Sequence, residues 1–248
     1  MSDSVSAVLT ICNREYSFQD QIECVLNQSV KIEEILVWCF KKEHLDLISE
    51  TNKKYNLNLK FGYCGYPTVW SRFSFALNTY SDYIILLDDD IFPGKKYIER
   101  CLNEYKKEPS IIVASGIKFS SNNPQGFYSY VRYGWDKYPQ NLDTMEVHYG
   151  GHSWFAHRKV FSTFWNEYNK KYPEFAGEDM HISHMAKKYL NMKTKVLSHD
   201  ANDLDGISNH PESKGYLYGH DKNGLSYSLG ISKIQEVFKY KLEENWFN

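Results

Sequence analysis

The chain has no run of 18 apolar residues and a mean hydropathy of −0.57, so no stretch of it reads as a membrane-spanning helix. It has almost no excess of either charge. Lys and Arg number 29 against 31 Asp and Glu, a net charge of −2. That field is too weak to hold a nucleic-acid backbone by counterion release, so nucleic acid is not an expected partner. The five cysteines (Cys12, Cys24, Cys39, Cys64 and Cys101) are odd in number and form no CxxC pair. MSDSVSAVLT shows no secretory leader. The expectation is reduced thiols, no disulfide, no structural zinc, and a cytoplasmic location with at most peripheral membrane contact. Arginine is scarce, with Arg14, Arg72, Arg100, Arg132 and Arg158 against a background of lysine. Each is worth asking about, because its planar fork suits phosphate. Glycine is missing from Val8 to Ser17. A nucleotidyltransferase would usually carry a Gly-rich phosphate loop after its first strand, so that absence disfavours the class.

What is present is a globular composition, 42% hydrophobic and 16% aromatic over 248 residues. Such a chain can bury a self-supporting core. Short apolar runs at Val5 to Ile11, Ile32 to Phe40, Leu57 to Tyr63 and Tyr83 to Leu87 alternate with helical spacings at Phe18 to Leu26, Leu45 to Tyr55 and Val69 to Leu77. This βα alternation implies an α/β fold with a mostly parallel sheet flanked by helices. Ligands of such sheets bind beyond the carboxyl ends of the strands. A helix over Lys96 to Lys106 and a strand over Ile111 to Ala114 follow. The aromatic stretch 127–138 and the alternating run Met145 to Tyr149 then predict a smaller antiparallel extension. The 182, 185, 186, 189, 190 stripe predicts a helix over Asp179 to Leu190, and Lys193 to Leu197 a strand. The polar segment His199 to Leu225 reads as a long loop. Residues 1–230 are read as one domain and 231–248 as a C-terminal amphipathic helix packed on it, since Lys233, Lys239 and Lys241 are offset by Glu236, Glu243 and Glu244.

Chemistry concentrates in a few places. LLDDDIF carries a buried strand straight into Asp88, Asp89 and Asp90, with alternation sending Asp88 and Asp90 one way and Asp89 the other. Three adjacent acids call for a cation, and hard oxygen ligands suit Mg²⁺ or Mn²⁺ bridging to a diphosphate. In AGEDMHISHMAKKYL, Glu178 and Asp179 open a helix, where acids also serve as caps. His181 and His184 on that helix lack the Glu of HExxH and read as packing residues. GGHSWF offers Gly150 and Gly151 for close backbone approach to a ligand. The aromatics of 127–138 could stack on sugar faces or pack the sheet. DANDLDGISNHPE places Asp203, Asp205, Gly206 and Glu212 as in a calcium loop, but Ala201 occupies the first ligand position and His210-Pro211 interrupts the exit helix.

Taken together, Asn13-Arg14 after the first strand, LNQS at 26–29, EEILVW, WSRF at 70–73, LLDDD, GGHSWF and GED at 177–179 resemble the nucleotide-sugar glycosyltransferases of GT-A fold, most closely the family-2 type. WSRF, DDD and GED are also similar to the exostosin-like family. The resemblance covers about residues 4 to 200. It implies a Rossmann-like GT-A domain that moves a sugar from a nucleotide diphosphate-sugar, a UDP-sugar in the first instance, to a glycan or lipid-linked acceptor. By that resemblance, Asp88 and Asp89 contact the donor, Asp90 binds Mn²⁺ or Mg²⁺, and Arg72 lies near the phosphates. Asn13 and Arg14 shape the nucleotide pocket, and Gly151 and His152 belong to a loop beside donor and acceptor. Asp179 is the implied general base with Glu178 supporting it, and His199, before His220, completes the metal shell. Where family-2 members end their second strand in an acidic pair, this chain has Trp38-Cys39-Phe40. A protein that kept the fold as a glycan-binding scaffold without turnover is the reading from another class.

Overall fold

A computed structural model describes residues 3–64, 68–134, 141–168, 176–200, 202–209 and 226–246. The first half alternates as the apolar runs require: β1 (Val5–Ile11), α1 (Phe18–Leu26), β2 (Ile32–Cys39), α2 (His44–Tyr55), β3 (Lys60–Tyr63), α3 (Ser71–Phe75) and β4 (Tyr83–Leu87). β1 is buried at every position, Ser6 and Thr10 included, which is why it reads as a mainly apolar run with no alternation. The second half holds α4 (Tyr97–Lys107), β5 (Ser110–Phe119), β6 (Tyr130–Gly134), β7 (Met145–Val147), β8 (Tyr149–His157), α5 (Arg158–Thr163), α6 (Glu178–Leu190), β9 (Lys193–Val196) and α7 (Ser226–Glu243).

The strands form one sheet in the order β3-β2-β1-β4-β8-β5-β9-β7, with β6 also on β5. β1 to β4 are mutually parallel, and β8 runs antiparallel between β4 and β5. β9 is parallel to β5, whereas β6 and β7 are antiparallel to their partners. The sheet is therefore mostly parallel with an antiparallel part, flanked by helices. Among the described residues no helix is long and apolar enough to cross a membrane.

Three expectations change in detail. The GGHSWF stretch, expected as a loop, is the heart of β8 and lies between the two halves of the sheet. The terminal helix starts at Ser226, five positions before 231. In the aromatic stretch Phe127 packs on Phe119 and Phe238, with ring centroids 6.4 and 5.5 Å away, whereas Tyr128 and Tyr130 are exposed. Trp135, Tyr138, Ala201, His210, Pro211, Glu212 and His220 lie outside the described residues, and with them the calcium-loop reading.

Gly150 in β8 is dictated by its neighbours. A Cβ on Gly150 would stand 2.3 Å from Ser115 O and 2.4 Å from Val113 Cγ2. Gly150→Ala is expected to destabilise the fold by about 1–3 kcal/mol, the usual cost of overpacking. The check is a urea titration, in which the midpoint should fall at unchanged slope.

Candidate active site

The chain leaves β4 after Leu87 and turns at once, the Ile91 N–H donating to Asp88 O at 3.1 Å. The turn, not strand alternation, separates the three acids. α1 holds it from below: Gln21 Nε2 donates to Asp88 O (2.6 Å) and Ile91 O (2.9 Å), and Ser17 Oγ donates to Asp89 O (2.7 Å). No sequence pattern singled out Gln21 or Ser17, because their role is set by a turn some seventy residues away.

Asp89 turns toward the end of β1. It accepts from Arg14 Nη1 at 2.7 Å and from the Asn13 backbone N–H at 3.3 Å. Asp88 and Asp90 turn the other way and meet β8, where His152 sits opposite the end of β4. The Asp88 N–H donates to His152 O at 2.9 Å, which continues the β4–β8 ladder by one rung. His152 has φ of 69°, a left-handed conformation that a non-glycine residue rarely adopts and that concentrates at functional sites. One ligand atom each from Asp88, Asp90 and His152 lie within 4.8 Å of one another.

α6 supplies the remaining acids. Gly177, at φ 82°, caps the helix and directs Glu178 and Asp179 at the end of β4. Arg72 on α3 joins the two regions, pairing with Asp88 through Nη1 and with Glu178 Oε1 through Nη2 at 2.9 Å. Its guanidinium lies 4.9 Å over the Trp154 ring, so the cation is sandwiched as well as paired. Asp179 Oδ1 accepts from the Met180 N–H at 2.8 Å, and a Cβ on Gly151 would lie 3.7 Å from its Oδ2. The absence of a side chain at Gly151 leaves that carboxylate oxygen approachable.

Five carboxylates face two guanidiniums here, an imbalance the titration of each group reflects. Burial pushes Glu178 up to about 8 against the pull of Arg72, and pushes Asp179 up to about 6 against the Met180 N–H and Arg72. Burial also raises Asp88 and Asp89, although Arg72 and Arg14 oppose it. Asp90 is the exception. Burial works on it too, yet the nearby His152 and Arg14, the latter at 3.3 Å, hold it below the ordinary carboxylate range. Its Oδ1 is buried with no hydrogen bond, and His152 Nδ1 stands 3.9 Å away. A carboxylate oxygen with no hydrogen bond, beside an imidazole and a second carboxylate, fits a divalent cation.

His199 is not brought to this cluster. It is 4% exposed beyond β9 and lines a cavity of about 10 Å³ with Tyr97, Leu197, Gly206 and Ser208. Its backbone N–H donates to Asn141 O at 2.7 Å, and Arg100 on α4 grips the adjacent Ser198 through its carbonyl (3.1 Å) and hydroxyl (2.6 Å). The histidine that lies with Asp88 and Asp90 is His152.

Residues 68–165 match the family model Glycosyl transferase family 2. No curated protein matches the chain. Among solved structures it is similar to TarS of S. aureus, with a TM-score of 0.55 at 13% identity over 87% of this chain and 38% of that one. A structure of TarS residues 1–349 in complex with UDP-GlcNAc gives a TM-score of 0.53 at 14% identity, over 79% of this chain and 56% of that one. The mannosyltransferase PcManGT from Pyrobaculum calidifontis, in complex with GDP-Man and Mn²⁺, gives 0.55 at 13% identity, over 86% and 59%. The chain thus spans between two fifths and three fifths of the length of these neighbours, and at such identities the likeness is one of fold.

Proposed function

We propose that the chain is a family-2-like glycosyltransferase of GT-A fold that moves one sugar from a nucleoside diphosphate-sugar, a UDP-sugar first, to a hydroxyl of a glycan or lipid-linked acceptor. The observation that carries the reading is the meeting of Asp88, Asp90 and His152 at a strand end with a half-buried Asp179 that faces Gly151. The complexes of the neighbours with UDP-GlcNAc and with GDP-Man and Mn²⁺ support it.

Asp88, Asp90 and His152 would hold the divalent cation, Mn²⁺ in preference to Mg²⁺ because one ligand is an imidazole, and when bound it neutralises the diphosphate leaving group. Asp179 accepts the acceptor hydroxyl's proton at Oδ2. At about 6 its pKa leaves it ionised at neutral pH yet more basic than an ordinary carboxylate. Glu178 holds Arg72, and Arg72 ties the base-bearing helix to Asp88. Arg14 occupies Asp89 and so leaves Asp90 Oδ1 for the cation. Asn13 fixes the far side of the same turn. Gly151 leaves room for the reacting hydroxyl beside Asp179.

A thermal-shift screen of UDP, UDP-GlcNAc and GDP-mannose, each with and without Mn²⁺, tests the reading. A ligand at a hundredfold its Kd adds about 2.7 kcal/mol to native stability. At least one nucleotide should raise Tm, and only with the metal. No shift from any of them with Mn²⁺ or Mg²⁺ would remove the donor assignment.

A further inference from the structure

Lys241, on the C-terminal helix α7, has a fully buried side chain. Its ammonium donates to Glu244 Oε2 at 2.9 Å and to His181 Nδ1, on α6, at 2.8 Å. That bond fixes the tautomer. With Nδ1 accepting, the His181 proton sits on Nε2 and is donated to Phe164 O at 2.7 Å. Burial first, and the Lys241 charge second, push His181 down to about 3, so the ring is neutral. The ring also lies 5.0 Å from that of Trp70, whose indole N–H donates to Ala176 O at 3.3 Å.

One turn back on α7, Val237 occupies the space a Cβ on Gly177 would need, 2.5 Å from Cγ2. The two contacts pair positions four apart on both helices, 237 with 177 and 241 with 181. They bracket the first turn of α6, which holds Glu178 and Asp179. An apolar side chain could fill the Lys241 site without the desolvation cost of an ammonium. A hydrogen bond, unlike an apolar contact, sets the rotation and height of one helix against another.

We propose that Lys241 is a positioning residue for glycosyl transfer, setting the place of Asp179 by fixing α6 through His181. The proposal rests on Asp179 being the base. The test is Lys241→Met combined with Glu244→Gln, so that no unpaired carboxylate is left beside His184, 3.4 Å from Glu244. In the unliganded protein, amides 178–183 should exchange faster with solvent while Tm holds. With the nucleotide-sugar and Mn²⁺ that gave the thermal shift, kcat should fall about tenfold to a hundredfold at unchanged donor KM, the cost of displacing a catalytic group. Lys241→Gln, which keeps a donor to His181 without the charge, should recover most of the rate. Wild-type kcat and exchange in the double variant would overturn the proposal, as would a common fall in Tm and donor binding, or failure of both variants to fold. The two readings separate cleanly: wild-type transfer by Asp179→Asn would sink the base assignment and leave the exchange result standing.

Discussion

Asp179→Asn is expected to keep donor binding and to lose transfer by about 10²-fold or more, the range for a missing general base. The substitution preserves the shape of the side chain and its bond from the Met180 N–H, so α6 should start as before. What it removes is the proton-accepting oxygen facing Gly151. A second signature comes with it. In the wild type the rate should fall as pH drops through about 6, because the base works only when ionised and burial has raised its pKa to that point. In the Asn variant the residual rate should show no such limb. Rates equal to wild type would leave Asp179 a residue that merely satisfies a helix amide.

Much of this arrangement was legible because local pattern and tertiary environment agreed. β1 and β4 are almost wholly apolar, Ser6 and Thr10 being the polar exceptions in β1, which is how a strand covered on both faces reads, and LLDDD announced that such a strand ended in charge. Gly-Glu-Asp opening an amphipathic helix was equally plain, and Arg72 stood out because arginine is rare in the chain. β8 was not legible. Gly150, Gly151, His152 and Ser153 have little strand propensity, and they join the sheet only because β5 pairs with Gly150 and Gly151 and β4 with Ser153, His152 turning left-handed between them. Gly150 is there because Ser115 O leaves no room for a side chain. Strand ends look alike in the sequence, and only the pairing of β8 with β4 shows that His152 ends beside the acids.

Asp90→Asn is expected to abolish Mn²⁺-dependent stabilisation by the nucleotide while leaving the unliganded fold intact. Asp90 is the acid of the three held below the ordinary carboxylate range, and its Oδ1 has no hydrogen bond, so an amide there withdraws the charge a cation would meet. Arg14 loses a contact of 3.3 Å with Asp90 but keeps its 2.7 Å pair with Asp89. The local excess of negative charge falls by one, so the empty protein should be as stable as wild type or more so. The pH dependence gives an independent check. Glu178 and Asp179 take up protons near 8 and 6 when folded, against about 4 when unfolded. The folded state then binds more protons between those values, and stability should rise as pH falls from about 8 to about 5. Mn²⁺ with nucleotide should raise Tm most at the alkaline end and flatten that slope in the wild type, by neutralising the charge that protonation otherwise removes. In Asp90→Asn the slope should persist whether or not Mn²⁺ is added. A variant that still shows full metal-dependent nucleotide stabilisation would take the cation away from Asp90.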